Sequence, residues 1–78
     1  MSKIIMYNPR PGGVVLLLED GRQEVIEASK IADVFEKYGG SFTQALGVAL
    51  YRADANNTIK ILTTWEADVK EFIEKFIL

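Results

Sequence analysis

The chain has 78 residues and a mass of 8.7 kDa, and its nine basic and eleven acidic side chains leave a net charge of −2. This length excludes a second independent hydrophobic core, because so small a body has little interior. An apolar fraction of 49% is high for that size, so we expect another chain to cover part of the surface.

The chain contains no cysteine and no histidine. It therefore lacks disulfides, thiolate ligands, and the side chain most often used as a general base or metal ligand. Carboxylates remain, but Glu66 with Lys70 and Glu71 with Lys75 have the i, i+4 spacing of ion pairs on a solvated helix face. We predict a protein that is not an enzyme and uses neither a cofactor nor a metal.

The basic residues are spread singly from Lys3 to Lys75 and form no phosphate-binding cluster. Binding to duplex nucleic acid is therefore disfavoured, and the acidic balance, with a pI near 5.0, fits a protein partner better. The apolar run near the N-terminus is too short for a signal peptide or a membrane span. We expect a cytoplasmic protein with no membrane contact.

Three short segments at the start of the chain have the composition of β-strands. The first is Lys3 to Tyr7, and residues 8–13 are predicted to be a loop because they hold two prolines and two glycines. Residues 14–18 form an apolar run of strand length. The Asp-Gly dipeptide that follows favours a two-residue type I′ turn, and residues 22–26 would form the third, antiparallel strand. An apolar run of this kind belongs in the centre of a sheet with both faces covered.

The two-residue turn sets a register for the second and third strands. It pairs Leu16 with Val25 and Val15 with Ile26, which places apolar side chains next to each other. The mixed third strand suits a sheet edge. We therefore predict a three-stranded antiparallel meander in chain order.

From Ser29 the apolar period changes from two to about 3.6, which predicts a first helix that ends at Gly39. Ser41 and Gln44 have the spacing of a capping box at the start of a second helix. That helix is apolar almost all round, with Phe42 assigned to its packed face. We expect it to be the central element of the fold or to lie under a partner chain.

Two further helices follow a polar break at residues 52–57. Asn57 is predicted to cap a short third helix, and Thr63 with Glu66 forms a second capping box before the last helix. Because all strands precede all helices, the sequence predicts the α+β class. It is one domain over residues 1–78, with the meander in 1–27 and three to four short helices, packed on one face, in 28–78.

The oxygen-bearing side chains of Asp54, Asn56 and Asn57 raise the question of a calcium loop. An EF-hand loop counted from Asp54 would need glycine at its sixth position and glutamate at its twelfth, where this chain has Ile59 and Trp65. A helix cap is therefore the favoured interpretation of this segment.

Five residues are candidate contacts for a protein partner. Arg10 is a basic residue at the tip of the proline-rich loop, and Tyr51 and Trp65 are amphipathic aromatics at element ends, a type enriched in interface hot spots. Phe76 and Ile77 belong to an apolar chain end, which we expect to dock in a groove of its own chain or of another subunit. The second alternative predicts a homodimer.

Residues 42–65 contain F-T-Q-A-L-G, then A-L, A-D, N-N and a tryptophan. This segment resembles a stretch of many short phage and prophage proteins, in which F-x-x-A-L-x-x-A-L-x-x-A-D-x-x-N precedes another aromatic-led helix. The resemblance implies a small accessory protein that binds and inhibits a host protein such as a CRISPR-Cas defence component, as anti-CRISPR proteins do. The alternative is a structural or assembly module that forms a homo-oligomer. A transcriptional regulator is disfavoured, because helix two carries Arg52 as its one basic residue.

Overall fold

A computed structural model of the chain describes residues 3–78; Met1 and Ser2, which the predicted domain includes, lie outside the described residues. Its strands form one antiparallel sheet in the order β1-β2-β3, and the helices follow the sheet in the chain. The predicted α+β class and the meander are therefore confirmed. The elements are β1 (Ile4–Arg10), β2 (Gly13–Leu18), β3 (Gln23–Glu27), α1 (Ala28–Tyr38), α2 (Ser41–Arg52), α3 (Ala55–Thr64) and α4 (Glu66–Phe76).

The first strand is longer than predicted. It continues through Pro9 to Arg10, which pairs with Gly13, so most of the predicted loop at residues 8–13 is strand. Proline is tolerated because β1 is an edge strand, whose outer side needs no ladder donor. An irregularity in the pairing at Ile5 lies near the start of the strand.

The predicted register of β2 and β3 is wrong by one residue. Val15 pairs with Val25 rather than with Ile26, and Leu16 pairs with Glu24. A shift of one residue moves side chains to the opposite face of a sheet. The observed register therefore places Val15 and Val25 together on the outer face, while Ile26 joins the core.

The length of the turn explains this shift. The Leu18 amide donates to the Arg22 carbonyl and the Gly21 amide donates to the Leu18 carbonyl, both at 2.9 Å. Leu18 therefore stands opposite Arg22, and the turn between them has three residues, 19–21, instead of two. Gly21 has φ of 91°, the left-handed conformation that closes a three-residue hairpin loop. The side chain of Arg22 turns back to Asp20, with Nε 2.8 Å from the carboxylate.

Helices cover one face of the sheet. The core-facing residues of β2 are Val14, Leu16 and Leu18, all fully buried, and the strands contact α1, α3 and α4. Val15 and Leu17 project to the other side and are half-buried. The prediction that β2 is covered on both faces therefore fails within the chain. The buried apolar residues form one cluster: Ile4, Val14, Leu16, Leu18, Ile26, Ile31, Ala32, Val34, Phe35, Leu46, Leu50, Leu62, Val69 and Ile73.

Helix α2 is peripheral rather than central. It packs on α1 and α3, and its buried residues are Leu46, Gly47 and Leu50. A Cβ built on Gly47 would lie 2.9 Å from the carbonyl oxygen of Ala32. The absence of a side chain at Gly47 thus lets the two helices approach closely, and it rotates α2 so that Phe42 faces outward.

The predicted caps are mostly wrong. Ser41 is already helical, so Gly40 is the N-cap of α2 and offers no side-chain cap. In α3 the N-cap is Asp54, whose Oδ1 accepts a hydrogen bond from the Asn57 backbone amide at 2.8 Å. The segment is a helix cap, as predicted, but the capping residue is Asp54 and not Asn57. Trp65 alone separates α3 from α4: its amide donates to α3, and its carbonyl accepts the first bond of α4, which has no side-chain cap.

Two hydrogen bonds connect the first strand to the last helices. The Tyr7 hydroxyl donates to the Leu62 carbonyl at 2.7 Å, and the Ile4 amide donates to Glu74 Oε2 at 3.2 Å. Burial, and to a smaller extent the nearby Glu66 carboxylate, raises the pKa of the Tyr7 phenol well above its ordinary value. The phenol therefore stays protonated and keeps its donor role.

Candidate protein-binding surface

The predicted carboxylate pairs lie on exposed parts of α4. Lys75 Nζ is 2.9 Å from Glu71 Oε1, and Lys70 Nζ is 3.7 Å from Glu66 Oε2, which confirms both i, i+4 ion pairs. Within residues 3–78 no group of three acidic side chains comes together in a way that could hold a metal ion. In the same range, no helix combines the length and the apolar character needed to cross a membrane.

The outer side of α2 carries large exposed apolar side chains. Phe42 is 63% exposed, Tyr51 66% and Val48 41%. The buried residues of α2 are Leu46, Gly47 and Leu50, which pack against α1. Phe42, Val48 and Tyr51 point away from this contact and therefore do not join the core. We call the group Phe42, Val48, Tyr51 and Arg52 the α2 surface.

One end of the α2 surface borders a shallow depression. Its walls are Glu36 of α1 with Val48, Tyr51 and Arg52 of α2. Two apolar side chains are thus flanked by one acidic and one basic group. At the other end, the Phe42 ring lies 6.1 Å from the ring of Trp65, so the aromatic character continues toward the junction of α3 and α4.

A chain of aromatic rings runs from the core to the surface between α1 and α4. Phe35 is fully buried and meets Phe72 edge-on at 4.9 Å, and Phe72 meets Phe76 at 5.4 Å. Phe76 in turn stacks on Tyr38, with ring centroids 4.1 Å apart and planes 5° from parallel. The last helix is therefore held to α1 by its own aromatic residues.

The five contact residues predicted from sequence do not share one surface. Tyr51 lies on the α2 surface, and Trp65 is half-buried at its edge. Phe76 stacks on α1, and Ile77 is half-buried against the core, so the apolar chain end docks in a groove of its own chain. Arg10 projects from the uncovered side of the sheet.

That uncovered side is a second apolar area, which we call the open sheet face. Register places on it the side chains that alternate with the core residues of each strand. Its centre is apolar, with Met6 61% and Val25 71% exposed beside the half-buried Val15 and Leu17. Its members are Met6, Asn8 and Arg10 of β1, Val15 and Leu17 of β2, and Gln23, Val25 and Glu27 of β3.

Sequence reasoning missed Phe42 and the apolar part of the open sheet face. Phe42 was assigned to the packed side of helix two, although a stripe through Thr43, Leu46, Gly47 and Leu50 has the same helical spacing. The glycine in that stripe is the signal that could have identified it, because a close helix crossing needs a small residue. The apolar part of the open sheet face was missed because the predicted turn was one residue too short, which put Val25 opposite Leu16 instead of Val15.

Comparison with known proteins finds no matching family model, no similar curated protein and no similar solved structure. The resemblance of residues 42–65 to phage proteins, and the inhibitory function that it implies, stay predictions.

Proposed function

We propose that the chain is a small non-enzymatic module that binds a host protein and inhibits it by covering part of its surface, with the α2 surface as the main contact. The observation that supports this proposal is the exposure of Phe42, Val48 and Tyr51 on one helix. Val48 and Tyr51 adjoin one depression, and Phe42 lies on the opposite flank of the same helix. Exposed apolar side chains of this size mark interaction sites in soluble proteins. Tyrosine is also among the residues that most often dominate binding energy.

The surroundings of Tyr51 suit the centre of an interface. Arg52 is the one charged residue of α2, and Glu36 stands across the depression. A partner would thus bury the apolar side chains with few charges to desolvate, while Glu36 and Arg52 would form a polar rim. An amphipathic helix presented in this way fits an apolar groove on its target.

The phage resemblance supports a host protein, such as a CRISPR-Cas defence component, as the partner class. Inhibition by such a chain needs no chemistry of its own, because a bound body of this size physically blocks access to the surface it occupies. Loss of the binding contact would then abolish inhibition without any other change.

The test is affinity capture from a host lysate with tagged chain, followed by a reconstituted binding assay with the captured protein. The double variant Val48→Ser with Tyr51→Ser removes two exposed side chains of the α2 surface, and Ile5→Ser, 58% exposed on β1, is the matched control. We expect the control to bind like wild type, and the double variant to lose at least about 30-fold in affinity, as expected for a hot-spot contact.

Capture of no defined protein, or equal binding by the double variant and the control, would contradict the proposal. Inhibition of the captured protein must be lost in parallel with binding. The assembly alternative is favoured by a different observation, the open sheet face, and predicts association of the chain with itself.

A further inference from the structure

We propose that the open sheet face is a self-association surface on which a second copy of the chain docks face to face, related by a two-fold axis parallel to β2. This inference concerns a surface that the proposed host contact does not use. It rests on the apolar character of the face and on the arrangement of two charges at one end of it.

The apolar part of the face is contiguous. Met6 pairs with Leu17 and Val15 pairs with Val25, so the four side chains lie next to each other across three strands. A sheet with one solvated face normally alternates apolar and polar residues along its strands. The outward residues of β2 break this rule, since Val15 and Leu17 are as apolar as their core-facing neighbours. The pattern is the one expected when a second layer covers the face.

Charge placement identifies the occupant as a second copy. Arg10 pairs with Gly13, and Gly13 pairs with Glu27, so opposite charges stand on the two outer strands of the same rung. Their strands are about 10 Å apart. Within residues 3–78, neither Arg10 nor Glu27 takes part in an ion pair.

A two-fold axis parallel to β2 places β1 over β3 of the second copy at the same height along the strands. Arg10 then faces Glu27 of the second copy, and the reciprocal contact forms by symmetry. Leu17 and Val15 meet their own counterparts near the axis. An in-plane axis perpendicular to the strands would instead place β1 over β1, away from the opposite charge. Aligned packing of two sheets about 10 Å apart is the common arrangement of β-sandwiches.

The face is small, which sets the expected affinity. Three strands span about 14 Å, and the six residues of β2 span about 20 Å, so the footprint is roughly 300 Å² per copy. A standard stable interface buries about 800 Å² on each partner. We therefore expect a reversible dimer with a dissociation constant of roughly 10–100 µM rather than a permanent one.

The experiment is sedimentation equilibrium of the full chain over about 5–500 µM. Arg10→Glu and Glu27→Arg should each weaken the dimer at least about tenfold, because either change puts like charges at both contacts. An equimolar mixture of the two variants should associate like wild type, because opposite charges then face each other at both contacts. Lys60→Glu makes the same charge change at an exposed position on α3, outside both surfaces, and should have no effect.

Val25→Lys gives a test that does not depend on the charge pair. Val25 is 71% exposed, so its replacement leaves the core intact, and far-UV circular dichroism checks the fold of every variant. We expect this variant to be monomeric at 500 µM. The proposal is overturned if the wild type stays monomeric at 500 µM, if the variant mixture fails to associate, or if Val25→Lys still dimerises. It is also overturned if Phe76→Ser with Ile77→Ser, rather than the sheet variants, dissociates the dimer.

Discussion

Gly13 occupies a position at which the fold leaves no room for a side chain. It has φ of 155°, and a Cβ built there would overlap the carbonyl oxygen of Ile26 on the neighbouring strand. Gly13→Ala should therefore lower the free energy of unfolding by about 2 kcal/mol, measured by urea denaturation. Gly12→Ala is the control, because nothing lies within 4 Å of its Cβ position, and it should change stability by less than about 0.5 kcal/mol. Equal effects would contradict this explanation.

Tyr7 couples the stability of the fold to alkaline pH. Its folded-state pKa is raised by burial, while the unfolded chain has the ordinary value of about 10. The stabilising contribution is therefore complete below pH ~10 and is lost as the pH rises above it, since the unfolded state then releases a proton that the folded state retains. Tyr7→Phe also removes the bond to the Leu62 carbonyl, at a cost of about 1 kcal/mol.

The measurement is the difference in unfolding free energy between wild type and Tyr7→Phe at pH 8, 9.5 and 11. Lysine deprotonation affects both proteins and cancels in the difference. We expect wild type to be the more stable at pH 8 and the advantage to shrink at pH 11. A difference that stays constant with pH would show that the phenol does not titrate differently in the folded state.

At the scale of elements, the sequence predicted the order and type of every strand and helix, but not the turn between β2 and β3, its register, or most of the helix caps. Strand and helix type follow from local composition and period, which the sequence displays directly. Register depends on turn length, and one extra residue before Arg22 placed Val25 opposite Val15 on the outer face instead of opposite the core residue Leu16. The same limit affected the candidate site: Tyr51, predicted as a partner contact, is exposed, whereas Phe42 was assigned to the wrong face of its helix.

At the crossing of α1 and α2, we expect a glycine-to-alanine substitution to change stability in the direction opposite to that expected from helix propensity. Alanine is favoured over glycine inside a helix by about 1 kcal/mol. At Gly47, however, an added methyl would lie 2.9 Å from the Ala32 carbonyl oxygen, and backbone cannot move aside as a flexible side chain can. We expect Gly47→Ala to destabilise the protein by about 1–2 kcal/mol in thermal or urea denaturation. A net stabilisation would mean that the helices lie further apart.

At the scale of the whole molecule, one buried cluster joins the sheet to the helices. Leu16 and Leu18 of β2 belong to the same core as Phe35, Leu62 and Ile73. The bonds from β1 to α3 and α4 add direct links between the two ends of the chain. The meander and the helical part should therefore unfold together rather than as two units.

Leu16→Ala tests whether the sheet and the helices unfold as one cooperative unit. Leu16 is fully buried, so its truncation should cost about 3 kcal/mol, a large share of the stability of so small a domain. Trp65 lies in the helical layer and reports through its fluorescence, while far-UV circular dichroism reports on all elements. In one cooperative unit the substitution in the sheet shifts both transitions equally, whereas independent unfolding would leave the tryptophan transition in place. Self-association would raise the midpoint of unfolding as the protein concentration rises. Wild type and Leu16→Ala are therefore compared at about 2 µM, below the expected dissociation constant, so that the measured shift is that of the monomer.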